Sequence, residues 1–163
     1  MIAHRFEVAG WGAGVLHFDD DAPIDLEEPA EQPRTGTTEA PPAAAIRLAE
    51  RIAAFLQGEP DDFADVPCEA ACAWFGLTDL DRRMVAAVRT IPRGETASYR
   101  EVAELAGRPR AARSAGAACA RGPLSIIVPY HRVIRSDGTI GMYGELGTER
   151  KRRLLALEGI HAR

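Results

Sequence analysis

From Thr78 onward the chain is cut by glycine and proline into short pieces: Pro92-Arg93-Gly94, Gly107-Arg108-Pro109 and Gly122-Pro123 interrupt it in turn. Proline removes a backbone donor and glycine loosens the backbone, so no long helix can run through these points. Between the breaks, apolar residues recur at helical spacing. Leu80, Met84, Val85 and Val88 form one face of a helix that starts at Thr78-Asp79-Leu80-Asp81, with Thr78 as N-cap and Asp81 in the third position. Ser98 caps a second helix over 99–106, with Val102, Ala103 and Leu105 facing inward, and a third is expected over 110–120. Two short helices joined by a glycine-containing turn, the second rich in small residues and bearing Arg110 and Arg113, form a helix-turn-helix pattern.

The first half is patterned differently. Alternating, aromatic-bearing runs at 2–8 and 12–18, separated by Gly10-Trp11-Gly12, predict a small hairpin. Residues 19–42 are acidic and rich in Pro, Thr and Gly, which predicts a flexible loop. Ile46, Ala49, Ile52, Ala53 and Leu56 fall at helical spacing, with Gly58 as C-cap, whereas 59–76, with Pro60 and Pro67, reads as an irregular linker or edge strand ending at Gly76. The 163 residues thus divide into an N-terminal lobe over 1–76 and a second domain over 77–163, an α+β fold overall.

Charge divides at the same place. Residues 1–80 carry 4 Arg and 16 Asp plus Glu, net −12, while residues 81–163 carry 16 Arg plus Lys and 8 Asp plus Glu, net +8. Such asymmetry points to a polyanion partner for the second half, discounted because the chain has one lysine, Lys151, and is generally rich in Arg. The apolar run Leu124-Ser125-Ile126-Ile127-Val128 falls far short of the roughly 20 residues that span a bilayer, and the first residues carry no leader pattern. Together with three cysteines in no framework spacing, this predicts a cytoplasmic protein.

The apolar run leads into Pro129-Tyr130-His131-Arg132-Val133-Ile134. With Ile91-Pro92-Arg93-Gly94-Glu95-Thr96-Ala97-Ser98-Tyr99, Arg110-Ala111-Ala112-Arg113, Gly141-Met142-Tyr143-Gly144 and Leu154-Leu155-Ala156-Leu157-Glu158-Gly159, it makes residues from about 78 to 160 resemble the catalytic domain of the O6-alkylguanine-DNA alkyltransferases. The resemblance implies a small N-terminal α/β lobe and a winged-helix-like DNA-binding domain. It also implies that His131 is the general base of the reactive centre and that Glu158 orients it. Tyr99 would rotate the target phosphate, Arg113 would fill the gap left by a flipped base, and Arg110, Ser114 and Arg132 would contact DNA. Tyr130, Met142, Tyr143 and Gly144 would line the lesion pocket.

Two positions depart from the family. Tyr130 stands where the family carries its acceptor cysteine, and a phenol, with a reference pKa of about 10 against about 8.5 for a thiol, is the harder to ionise and the poorer nucleophile toward an alkyl carbon. Gly122 stands where the family usually has an asparagine between the recognition helix and the active-site strand, and it removes side-chain hydrogen bonds there. Two losses in the reactive core beside an intact DNA-reading frame make the chain resemble the alkyltransferase-like proteins, which lack the cysteine, often hold a large aromatic there, and bind alkylated guanine without repairing it.

Each residue also has a plainer reading. Arg113 could be a solvated helix arginine, His131 and Glu158 a buried pair that only packs the scaffold, Cys119 a core thiol, and Arg150-Lys151-Arg152-Arg153 the solvated basic face of the last helix. Cys68 and Cys72 lack a second ligand pair, so no metal is expected. The resulting expectation is a monomer without cofactor that binds duplex DNA containing O6-alkylguanine, possesses no membrane attachment, and hands the lesion to other repair proteins. Two alternatives stay open: alkyl transfer to Tyr130 or Cys119, and a family scaffold reused for a small alkylated molecule.

Overall fold

The computed structural model describes residues 1–31, 40–144 and 147–162. The chain divides into two compact units, one of Met1–Gly76 with Pro123–Ile127 and one of Leu77–Gly122 with Val128–Arg163.

The first unit is built on a three-stranded antiparallel sheet in the order β1-β2-β3, with β1 at Ile2–Val8, β2 at Gly12–Asp19 and β3 at Ala22–Ala30. The expected hairpin is β1 and β2. The third strand falls inside the stretch expected to be a loop, and that expectation is corrected for 22–30. Ile24 and Leu26 alternate into the core, but the alternation continues into Glu28 and Pro29, also buried, so polar and proline residues mask the period in the sequence. Residues 32–39 of the same expected loop lie outside the described residues. Gly12, at φ +93°, lets the strands meet, since a Cβ there would sit 2.3 Å from the Ala30 carbonyl oxygen. On the sheet, His17 Nε2 lies 2.9 Å from Glu27 Oε1.

Helix α1, Ala43–Leu56, lays Leu48, Ala49, Ile52, Phe55 and Leu56 against β1 and β2, while Ile46 is exposed. The 59–76 stretch is not a bare linker or an edge strand. Arg51 clamps its start, holding Asp61 and Asp65 at 2.8 Å each and lying 5.2 Å from the Phe63 ring centroid, and its end forms α2, Glu69–Trp74, against β3. A six-residue helix offers too few turns for a periodic signal to register.

The second unit is mainly helical. Helix α3, Asp79–Arg89, starts on the expected reciprocal cap, with Thr78 Oγ1 accepting from the Asp81 amide at 3.2 Å and the Asp81 carboxylate accepting from the Thr78 amide at 3.1 Å. The same cap recurs at Ser98 and Glu101, where α4, Tyr99–Leu105, begins. Helix α5, Ala112–Arg121, opens two residues later than the spacing predicts and buries Ala115 and Ala118. Helices α3, α4 and α5 pack on one another, and Arg121 of α5 reaches Asp81 of α3 at 3.0 Å. Short parallel strands β4, Ala97–Ser98, and β5, Val133–Ile134, join the start of α4 to the chain after the reactive segment, and α6, Gly147–Leu157, closes the unit. The apolar run before Pro129 is no continuous strand, because Leu124 and Ile126 hold φ of +57° and +75° and so break the pleat.

Candidate nucleic-acid interface

All of the residues singled out for chemistry lie in the second unit. Helix α4 presents Tyr99 at its first position, and a chain reversal over 106–111 leads into α5, which carries Arg113 and Ser114 in its first turn. Arg110 and Arg113 are exposed, as a surface that meets phosphate and a groove requires. The small residues of α5 allow close approach. Around Gly116 the Tyr99 ring comes within 3.8 Å of where a Cβ would lie, so the tyrosine packs directly on the α5 backbone. Burial raises the Tyr99 phenol above its ordinary pKa.

Beneath this surface, residues 130–132 form a single 3-10 turn between Pro129 and β5, with all three side chains buried. Its backbone is pinned by the Tyr130 amide donating to the Val128 carbonyl at 2.8 Å and the Arg132 amide donating to Pro129 at 2.9 Å. Glu158, just past α6, gathers the polar side chains. Its Oε1 accepts from His131 Nε2 at 2.9 Å and Arg132 Nη2 at 2.9 Å, and its Oε2 accepts from Arg132 Nε at 3.0 Å and the Gly94 amide at 3.2 Å. Burial alone would push the Glu158 carboxyl up, but the hydrogen bonds and charges of His131 and Arg132 outweigh it and hold the pKa at about 2. An ionised carboxylate only accepts, so His131 Nε2 carries the proton toward Glu158.

Arg132 therefore does not stand where a DNA contact was expected. Its side chain is 4% exposed, clasped by Glu158 and donating from Nη1 to the Ile91 carbonyl at 2.7 Å. The clasp ties the 3-10 turn to both the end of α3 and the end of α6. Of the expected lesion-pocket residues, Tyr143 is buried, Met142 is 67% exposed, and Gly144 is exposed in the loop before α6.

A second buried cation was missed. Lys151, expected on a solvated face, is 1% exposed, donates to the Val133 carbonyl and holds its Nζ 5.9 Å from the Tyr99 ring centroid. Burial lowers its pKa to about 8. The signal was present: Lys151, Leu154 and Leu155 are spaced as one helical face, and all three are buried. Cys119 of α5 is coupled electrostatically to Lys151, yet burial dominates and pushes its thiol up to about 12. Arg135, also unremarked in the sequence, lies beside Tyr99 and lines an open cavity of about 430 Å³ with Ser98, Arg100, Glu101 and Ser136.

A helix-turn-helix with exposed arginines above a buried histidine, glutamate and arginine cluster defines a DNA-binding protein of the repair alkyltransferase class, and residues 79–160 match the family model described as 6-O-methylguanine DNA methyltransferase, DNA binding domain. The similarity extends well beyond that span. A methylated-DNA–protein-cysteine methyltransferase of Mycolicibacterium paratuberculosis is 42% identical over 137 residues, 84% of this chain and 78% of that protein. One from Methanothermobacter thermautotrophicus is 42% identical over 120 residues, 74% of this chain and 64% of that protein. The crystal structure of Mycobacterium tuberculosis OGT in complex with DNA superposes with a TM-score of 0.75 at 34% identity, covering 96% of this chain and 92% of that one. This chain belongs to the methylated-DNA–protein-cysteine methyltransferase family.

Proposed function

We propose that this chain binds duplex DNA through the minor groove and holds a flipped-out O6-alkylguanine over Tyr130 without passing the alkyl group to a cysteine, acting in alkylation damage repair. The observation that carries the reading is the residue between Pro129 and His131. It is a buried tyrosine where the transfer named in the relatives requires a protein thiol, set beside a Glu158 cluster that is otherwise complete. Alkyl transfer to sulfur needs a thiolate, and the cysteine of the second unit is a poor one: a Cys119 thiol held at about 12 is almost wholly protonated at neutral pH. A phenol with a reference pKa of about 10 faces the same obstacle, since it too is almost wholly protonated at neutral pH.

The rest of the unit favours DNA recognition. Flipping a base costs a few kcal/mol of lost stacking, and a side chain that enters the vacated space offsets it. The exposure of Arg113 in the first turn of α5 supports that role for it, as the exposure of Arg110 supports phosphate contact, with Tyr99 at the start of α4. The likeness to a relative solved in complex with DNA supports the same partner.

The reading is tested by titrating the protein against a duplex containing one O6-methylguanine and against its guanine control. Tighter binding to the lesion duplex is expected. Equal affinity would reduce the protein to a nonspecific DNA binder, and no salt-sensitive binding to either duplex would favour reuse of the scaffold for a small alkylated molecule.

A further inference from the structure

We infer that Gly122 is the positioning residue for Tyr130: the tyrosine hydroxyl occupies the space that any side chain at 122 would need, so the glycine fixes where the aromatic ring lies. A Cβ on Gly122 would sit 2.0 Å from Tyr130 Oη, 2.3 Å from its Cζ and 2.8 Å from the Ala118 carbonyl oxygen. Carbon and oxygen do not approach so closely without a bond. The requirement for glycine is not conformational. Gly122 has φ −65° and ψ 136°, ordinary extended backbone open to every residue, in contrast to the positive φ of Gly107 or Gly141. What the position forbids is volume, and the volume is taken chiefly by Tyr130, with the Ala118 carbonyl less close.

Tyr130 cannot yield by moving its backbone. It lies in a turn held by the hydrogen bonds of its own amide and that of Arg132, and the next two side chains are locked to Glu158. A side chain at 122 would have to be met by rotation of the ring out of its seat. The two departures from the family at 122 and 130 are thus one complementary exchange rather than two independent losses. This deepens the proposed function and rests on it in one respect: if Tyr130 floors the lesion pocket, then Gly122 sets the depth of that floor and determines which guanine substituents fit.

The test is a double-mutant cycle on the full chain, read by thermal unfolding without DNA and by lesion preference with DNA. Gly122→Ala is expected to lower Tm by about 5 °C or more when Tyr130 is present and by clearly less on a Tyr130→Ala or Tyr130→Leu background. The Ala118 contact is common to all backgrounds and cancels. Failure of Gly122→Ala to fold only when Tyr130 is present supports the pairing, and an equal cost on every background overturns it. In the unmutated protein, nuclear Overhauser contacts between the Tyr130 ring and the Gly122 α-protons are expected, and their absence overturns the pairing without any variant. With DNA, Gly122→Ala should reduce the preference for O6-methylguanine over guanine at least tenfold. An unchanged preference would overturn the role in specificity. Loss of preference in the unmutated protein would instead defeat the proposed function, and the stability cycle would still decide the pair.

Discussion

Glu158 draws His131 and Arg132 of the 3-10 turn and the Gly94 amide onto one buried carboxylate. Its pKa is lowered from the usual 4.5 to about 2, so its stabilising contribution is complete above pH 4.5 and is lost as pH falls through 2. That shift corresponds to on the order of 3 kcal/mol. Glu158→Gln should therefore lower stability at pH 7 by about 3–5 kcal/mol, since it leaves Arg132 buried without a counter-charge. It should also flatten the stability profile between pH 4.5 and 2, as read by urea unfolding at several pH values. A variant that keeps the steep acid limb would remove Glu158 from this role. Lys151 differs in that the fold disfavours its charged form. Its pKa falls from 10.5 to about 8, so the unfolded chain binds the additional proton and stability should rise between pH 8 and 10.5, a rise that Lys151→Met would abolish.

At the scale of elements, capped helices were legible and short or masked ones were not. Thr78 and Ser98 announce α3 and α4 because hydroxyl and carboxylate three residues apart satisfy two orphan amides at once, and Ser98→Ala should cost about 1 kcal/mol in chemical denaturation. Strand β3 escaped because Glu28 and Pro29 occupy buried positions in it, and α2 because it is a single short helix. The helix-turn-helix makes a sharper functional prediction. Arg113 is exposed in α5, where alanine is the better helix former, so Arg113→Ala should leave Tm unchanged and weaken lesion-duplex binding by about 1–3 kcal/mol. Unaltered binding by the folded variant would take Arg113 out of the interface.

For the whole molecule, the order of motifs disclosed the family, and the segments that carry the candidates His131, Glu158, Tyr99 and Arg113 are short enough to be read directly. The burial of Arg132 could not be read so, because a basic side chain looks the same in sequence whether it faces a phosphate or a buried carboxylate, and that of Lys151 showed only in its spacing with Leu154 and Leu155. Charge segregation, net −12 against net +8, was visible at once and predicts that duplex affinity falls steeply as salt rises, through release of counterions from phosphates. Recognition without transfer is tested most directly by intact-protein mass spectrometry after incubation with an O6-methylguanine duplex, with the recovered DNA assayed for the lesion. The protein mass should be unchanged and the O6-methylguanine should remain in the strand. A gain of one methyl group per lesion consumed, mapped to Tyr130 or Cys119, would contradict this and make the chain an alkyltransferase with a new acceptor.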